Sequence, residues 1–547
     1  MNPVMRPLPK RSAALPARVE PAALGGALEG ADRFSRETAL WQPSFRSPDQ
    51  SINPVKPLLD ARGRDIVAND GYAAAGVAIH KDSIVGAQYR LNAKPAWKTL
   101  GFSPEWAEEF QATVEERFSL AAESPSCWFD AARVNTLTGL IRLGVGCFVM
   151  SGEVVGTAEW IRETDRPFRT AFQMISPDRL SNPDGLPDTR YLRRGVEKDS
   201  RGKPVAYYFR TTYPSEFYDA DVLRWTRVPA TKPWGRKQVI HILEQQHPDQ
   251  SRGVAEMVSV LRRMRMLKTF SEVTLQNAVV NATYAASIES ELPSEVVAAA
   301  MGAGGTPADG LQNYIGAYMT ALGEFLKGSQ NTAIDGVKIP HFFPGTKLNA
   351  RTLGTPGGVG TDFEASLLRH IAAGLNVSYE ELAKDYSKVS YSSARASIAN
   401  TGRFMAARKK FCADRLATDI YILWLEEMLN AGELPLPRGV GPEVFYQPLG
   451  KEALSRCAWI GTGRGQIDEM KETQAAMLRV QAGFSTYETE CARLGFDYRE
   501  VFEQLEREQK DIADRGLVVG LSSQKPGAGA EQSTQQGTPG EGGDGEE

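Results

Sequence analysis

The stretch His241–Pro293 reads HILEQQHPDQSRGVAEMVSVLRRMRMLKTFSEVTLQNAVVNATYAASIESELP, and its periodicity decides the fold. It opens within a buried-looking apolar run, Val239-Ile240-His241-Ile242-Leu243, and turns through His247-Pro248-Asp249-Gln250-Ser251. From Gly253 to Asn281 the pattern is helical without a break. No proline interrupts it, and alanine, leucine, methionine and arginine, all good helix formers, dominate. Val254, Met257, Leu261 and Met264 form an apolar stripe, while Arg262, Arg265 and Lys268 recur on a basic face. At 1.5 Å per residue such a helix would span roughly 40 Å, long for a globular core. Residues 282–288 then become β-branched and aromatic before Pro293. A long helix leading into a small separate module is an architectural element rather than an active-site loop.

The rest of the chain is read against that rod. Its 547 residues suffice for two to four domains. With 42% apolar and 24% charged residues it has the composition of an ordinary soluble protein. A net charge of −4 means that any nucleic-acid contact must come from local basic patches. The five cysteines are scattered with no CxxC spacing, which points to reduced, intracellular thiols rather than a disulfide scaffold or zinc ribbon. No run of 18 apolar residues predicts a membrane span. Residues 1–33 are basic and proline-rich without an apolar signal core, and are expected to be a disordered or removable arm.

In chain order, Trp41 and Phe45 sit among prolines and serines, as in an extended arm that anchors on a neighbour. Pro57–Ser83 reads as one amphipathic helix, Val85–Leu91 as a strand, and Pro104–Ser119 and Trp128–Leu143 as helices. Cys147–Met150 reads as a strand leading to a hairpin turn at Ser151–Glu153. From Phe168 to Trp234 the texture is β-rich, with turns at Asn182–Gly185 and Ser200–Pro204. Farther on, Thr361–Glu364 and Ser378–Glu381 are capping boxes. A polar loop, 384–393, precedes a second long helix, Ala394–Asn430, and residues 466–515 are helical. The Gly-, Pro-, Gln- and acid-rich tail after Leu521 is expected to be disordered.

Few motifs carry chemistry. Gly461-Thr-Gly-Arg-Gly465 could in principle cradle a phosphate ahead of a helix. It lacks the Walker lysine and hydroxyl and the G-x-G-x-x-G spacing, so a helix-opening turn is the better reading. The histidines (His80, His241, His247, His341, His370) are dispersed without metal-ligand spacing, and no G-x-S-x-G elbow occurs. No catalytic residue, metal site or cofactor is therefore assigned. The remaining signal is a basic loop with aromatics, Lys384, Lys388 and Arg395 beside Tyr379, Tyr386 and Tyr391, a mixture suited to phosphate-backbone contact. An ordinary solvated loop has the same composition.

Several collinear stretches resemble the lambda-type family of tailed-phage portal proteins. They include Ala61–Asn69, Gly71-Tyr72, Ile84–Gly86, Ile175–Leu180 and Gly195–Pro204. The match continues through Ser251–Gly253, Met266-Leu267, Tyr284–Leu292, Gly374–Leu382 and Ser390–Ser397. It ends with Trp459–Arg464, Ile467-Asp468, Lys471-Glu472 and Gly483–Glu488, leaving out the first thirty or so residues and the tail. The resemblance implies an α+β, mainly helical portal fold with wing, stem, clip and crown, assembled as a dodecameric ring. It implies a wing over 34–250 with its anchoring arm, a stem helix over 251–281 and a clip over 282–350. A connector and second stem helix follow over 351–382, then a tunnel loop over 383–393. Residues 394–465 would be the long wing helix and return strand, 466–515 the crown, and 516–547 the tail. Lys384, Tyr386, Lys388 and Tyr391 would face the DNA channel, and Arg262, Arg265 and Lys268 would serve the stem and inter-subunit contacts. Implied partners are other copies of the chain, the terminase large subunit, head–tail adaptor or tail proteins, major capsid and scaffold proteins, and sequence-nonspecific double-stranded DNA. The implied place is the portal vertex of a virion, after assembly in the host cytoplasm. The competing readings are a nucleotide-binding enzyme built on Gly461–Gly465 and a head or tail scaffold protein without a channel.

Overall fold

In a computed structural model the described residues are 40–216, 218–283, 359–387, 389–463 and 469–517, with short pieces at 36, 316, 319–320, 332–334 and 337–339. The chain starts with α1 (Pro48–Ile52), α2 (Lys56–Asn69), α3 (Gly71–Ile84), β1 (Arg90–Ala93), α4 (Trp97–Leu100), α5 (Pro104–Ala122) and α6 (Leu137–Ser151). A β-rich stretch follows: β2 (Glu153–Trp160), β3 (Thr170–Ile175), β4 (Leu192–Arg193), β5 (Val196–Lys198), β6 (Pro204–Arg210), β7 (Trp225–Pro229) and β8 (Val239–Leu243). Then come α7 (Leu261–Thr283), β9 (Thr332–Ile334), β10 (Val337–Ile339), α8 (Val359–Gly374), α9 (Tyr379–Ala383) and α10 (Tyr391–Arg408). After a π-helical segment (Lys409–Ala413) the chain ends with α11 (Asp414–Asn430), α12 (Gly450–Leu454), β11 (Cys457–Ile460), α13 (Glu469–Gln481), α14 (Tyr487–Leu494) and α15 (Tyr498–Asp514). The fold is α+β and mainly helical, as expected. Most of the stretch 282–350, expected as a clip, lies outside the described residues, as do nearly all of the arm and the tail.

The chain divides into two compact units. The first draws on Met1–Ala73, Cys147–Thr157 and Ile175–Gly354. Within it β2 pairs antiparallel with β8, from Glu153 opposite Leu243 to Thr157 opposite Val239. The strands β4-β5-β6-β7 form an antiparallel meander, set by the β-branched and aromatic run Val205–Phe209. Val155, Ile175, Leu180, Val196, Tyr207, Phe209 and Val239 make its core. The short strands β9 and β10 form a hairpin.

The second unit draws on Ala74–Gly146, Ala158–Met174 and Thr355–Glu547. Its core is aromatic: the Phe118 ring lies 5.1–5.4 Å from those of Phe129, Tyr421 and Trp424. Helix α11 supplies most of the wall, burying Leu416, Ile420, Leu423, Trp424 and Leu425. Strand β1 pairs with β11, and Tyr89 stacks on Trp459 with ring centroids 5.5 Å apart. The second long helix runs as expected to Asn430, but the π-helical segment interrupts it. There Lys409 Nζ donates to Asp414 at 2.8 Å and to the Trp459 carbonyl at 2.7 Å.

Four local expectations are corrected. The single helix over Pro57–Ser83 is two helices, because Asp70 is extended (φ −135°, ψ 124°) and its carboxylate caps the second by accepting from Ala73 N at 2.8 Å. The strand placed at Val85 begins only at Arg90, after Gly86 takes a left-handed φ of +74°. Cys147–Met150 is not a strand but the last turn of α6. Leu140, Ile141, Val145, Phe148 and Val149 are all buried at helical spacing, and that packing overrides their β propensity. Thr361 does not open its helix, which is already under way at Val359. By contrast, Ser378 and Glu381 form the expected reciprocal capping box.

One close approach holds the first unit's backbone in place. A Cβ on Gly253 would lie 2.0 Å from the Gly152 carbonyl oxygen, and Gly152 itself has φ +78°. Neither position has room for a side chain. Gly253→Ala is therefore expected to cost about 2–4 kcal/mol through forced backbone separation. Urea denaturation measures this; a loss within experimental error would mean that the two backbones part freely.

Candidate functional site

The long helix is anchored at its base by a buried ionic cluster inside the first unit. Glu153, the first residue of β2, is 0% exposed. Its carboxylate accepts from Arg252 Nε at 3.0 Å and Nη2 at 2.6 Å, from Gly253 N at 2.8 Å and from His241 Nε2 at 3.2 Å. Lys56 Nζ lies 3.3 Å away and also bonds the carbonyls of Ser151 and Gly253 and the Asp60 carboxylate. Arg252 completes its donor set on the carbonyls of Leu180, Arg194 and Pro177 at 2.7–2.9 Å. Burial alone would raise the Glu153 pKa, but the charges of Arg252 and Lys56 and the His241 hydrogen bond outweigh it and hold the carboxyl well below its usual range. Burial lowers the His241 pKa against the pull of Glu153. Burial also pushes Asp60 up to about 6, with Lys56 opposing. The cluster thus ties α2, β2, β8 and the approach to α7 at one point.

Sequence reasoning missed this cluster. The signals were an arginine set between serine and glycine just before a helix, and a glutamate opening the apolar strand EVV.

From that base α7 departs in a phase different from the one expected. A 3₁₀ turn, Glu256–Ser259, precedes it, and the α-helix starts at Leu261 rather than Gly253. Of the expected stripe Met257 and Met264 are buried, joined by Val260 and Leu267, while Val254 and Leu261 are only half-buried. Arg262 and Arg265 are exposed. Lys268 is half-buried and donates to the Asn69 carbonyl at 3.2 Å. Residues 271–276 are exposed, with Val273 56% exposed and Leu275 67%.

The basic loop belongs to the second unit and is described as far as Ser387 and again from Val389. Lys384 ends α9 in a left-handed conformation (φ 55°) that leaves its side chain exposed. Asp385 Oδ1 accepts from Ser387 N at 3.0 Å and Ser387 Oγ at 2.6 Å, closing a tight turn that leaves Tyr386 half-exposed. Ser390 caps α10 by accepting from Ser393 N. Lys388 lies outside the described residues. So does the side chain of Tyr391, whose backbone opens α10. Arg369 lies 5.3 Å above the Tyr379 ring. Lys384, Tyr386 and Arg395 therefore form the exposed basic and aromatic part of the loop among the described residues.

Of the glycine motif 461–465, the described residues Gly461 and Gly463 are shaped by packing. A Cβ on Gly461 would meet the Ile84 carbonyl at 2.8 Å, and one on Gly463 would meet the Leu494 carbonyl at 2.4 Å. These glycines let backbones touch, which accounts for them without a phosphate. His80, likewise, is buried against the Leu375 carbonyl at 2.8 Å, and burial pushes its pKa down to about 4. Among the described residues no group of three or more His, Cys, Asp or Glu could hold a metal ion.

The site is thus a long helix whose approach is anchored by a buried salt bridge and whose residues 271–276 are exposed. The family described as phage portal protein, lambda family, matches residues 34–409. Portal protein B of Escherichia phage lambda is 38% identical over 494 residues, covering 89% of this chain and 90% of that protein. The portal protein of Escherichia phage N15 is 38% identical over 491 residues, with the same coverage. Among solved structures, the neck of an empty GTA particle computed with C6 symmetry is similar at TM-score 0.38 and 13% identity, covering 81% of this chain and 93% of that one. The chain belongs to the lambda family of phage portal proteins.

The cluster makes a testable demand. Arg252→Met strands a buried carboxylate and is expected to cost about 3–5 kcal/mol, part of which Glu153→Gln in the same chain recovers. Because the folded-state pKa of Glu153 is depressed, its contribution is present above the unfolded pKa near 4.5 and is lost as pH falls through the folded value. Urea titrations from pH 7 to pH 3 should show a shallower acid loss for Glu153→Gln than for the parent. Strictly additive single and double variants would refute the coupling.

Proposed function

We propose that copies of this chain close into a ring at one vertex of a capsid, and that double-stranded DNA passes through its channel during packaging and ejection. Terminase docks on the ring first, and tail or adaptor proteins attach afterwards. The observation that supports this most is the run 271–276 of α7. Residues 271–276 are all exposed, Val273 and Leu275 among them, on a helix whose inner turns bury Met264 and Leu267 and whose approach is salt-bridged through Arg252. Such a surface asks for a lateral neighbour, and head-to-tail neighbours related by rotation make a ring.

The division into regions rests on the resemblance to the portal family. Residues 34–250 and 394–465 form the wing, 251–281 and the helix within 351–382 the stem, 282–350 the clip, 383–393 the tunnel loop and 466–515 the crown. Within it Lys384, Tyr386, Lys388 and Tyr391 line the channel, while Arg262, Arg265 and Lys268 serve the stem. A conduit must hold DNA loosely, since each neutralised phosphate releases counterions and adds affinity that would stall translocation. A net charge of −4 with a few basic loop residues suits that requirement. Contacts to the backbone alone would carry no sequence information. The role is structural, and ATP hydrolysis falls to the terminase.

Two experiments test this reading. Val273→Asp with Leu275→Asp is expected to leave the unfolding of the isolated chain unchanged within about 0.5 kcal/mol while abolishing the large species in sedimentation velocity. Retained assembly would remove this face from the interface. Lys384→Glu with Lys388→Glu should preserve assembly yet lower packaged DNA several-fold, and unchanged packaging would take both lysines out of the channel.

A further inference from the structure

The first unit contains a cleft of about 790 Å³ that borders the ionic cluster through Lys56 and Arg252. Its walls include Pro54, Pro57, Pro187 and Pro214, with Tyr213 and Trp225, flat surfaces suited to an extended chain. Most of its charges are already satisfied. Arg64 pairs with Asp178 at 2.7 Å, Arg193 approaches Asp49 at 3.9 Å, and Lys56 and Arg252 belong to the cluster. Two lining arginines, Arg194 and Arg210, make no salt bridge among the described residues. Arg210 lies over the Trp225 ring at 4.8 Å, and its Nε is buried without a partner.

The cleft also holds an orphan acceptor. Asn53 is 3% exposed, and its Nδ2 donates to Asp188 Oδ2 at 2.6 Å. Because a carboxylate oxygen only accepts, the amide orientation is fixed and Oδ1 is left buried with no partner. A site with two unpaired guanidiniums and one unfilled acceptor calls for carboxylates accompanied by an N–H donor. An acidic peptide offers both, whereas inorganic phosphate offers little to Asn53.

We propose that this cleft binds the acidic C-terminal segment, Glu541–Glu547, of a second copy of the chain. Charge selects that end. The last seven residues hold Glu541, Asp544, Glu546 and Glu547 with no base, whereas the first thirty hold Arg6, Lys10, Arg11 and Arg18 against Glu20 and Glu29. The assignment stands apart from the portal reading, since the cleft lies within one unit.

The test uses the full-length chain with Glu541→Gln, Asp544→Asn, Glu546→Gln and Glu547→Gln, so that its own tail competes weakly. A fluorescein-labelled peptide of residues 536–547 is titrated by anisotropy at low salt. Saturable binding is expected, weakened about tenfold by Arg194→Gln with Arg210→Gln, the loss of charge-assisted hydrogen bonds. Ser215→Glu at the exposed rim, which leaves the buried groups untouched, should also weaken it. Absence of saturable binding, equal affinity in both variants, or displacement by millimolar inorganic phosphate would overturn the proposal. None of these readouts depends on ring formation.

Discussion

The structure of the first unit depends on one buried carboxylate. Glu153 is removed from water completely, and an isolated charge there would be prohibitive. It is tolerated because Arg252, Lys56, His241 and the Gly253 amide converge on it, and because the other Arg252 donors find backbone carbonyls. A hydrophobic replacement could match the stability of such a pair but would not fix direction in the same way. Here the ion pair joins residues 99 apart in sequence and orients the start of α7. The Gly152–Gly253 contact works with it, since charged groups can meet at this range only where the backbones carry no side chains.

Away from that anchor the subunit leaves much apolar surface open. Residues 271–276 of α7 are exposed, and α13, α14 and α15 contain no buried residue. Phe484 is 86% exposed, and Met470, Tyr487 and Phe496 are more than half exposed. A free monomer with such surfaces would associate without order. In the proposed ring the same surfaces would become interfaces, with rotation closing the set.

How much of this was legible in the sequence follows from the range of the forces involved. Local signals were read well: the Ser378 capping box, the Ser103-preceded helix at Pro104, and the β-branched run of β6 each act within a few residues. The phase of α7 was misread because a 3₁₀ turn and an α-turn share the same residue types over four positions. Cys147–Met150 was misread because β-branched and aromatic residues on a buried face fit either element, and only the continuing α6 packing chooses between them. The Glu153 cluster was invisible to motif reading, since its members lie far apart and no spacing rule connects them. The basic loop was located by composition. Which surface Lys384 and Tyr386 meet in the assembly depends on neighbours, a property that no single chain encodes locally.

Electron microscopy of the purified full-length protein tests the central claim most directly. Closed rings with a central hole wide enough for a DNA duplex, seen end-on, are expected. Monomers, open filaments, or closed particles without a central hole would contradict it.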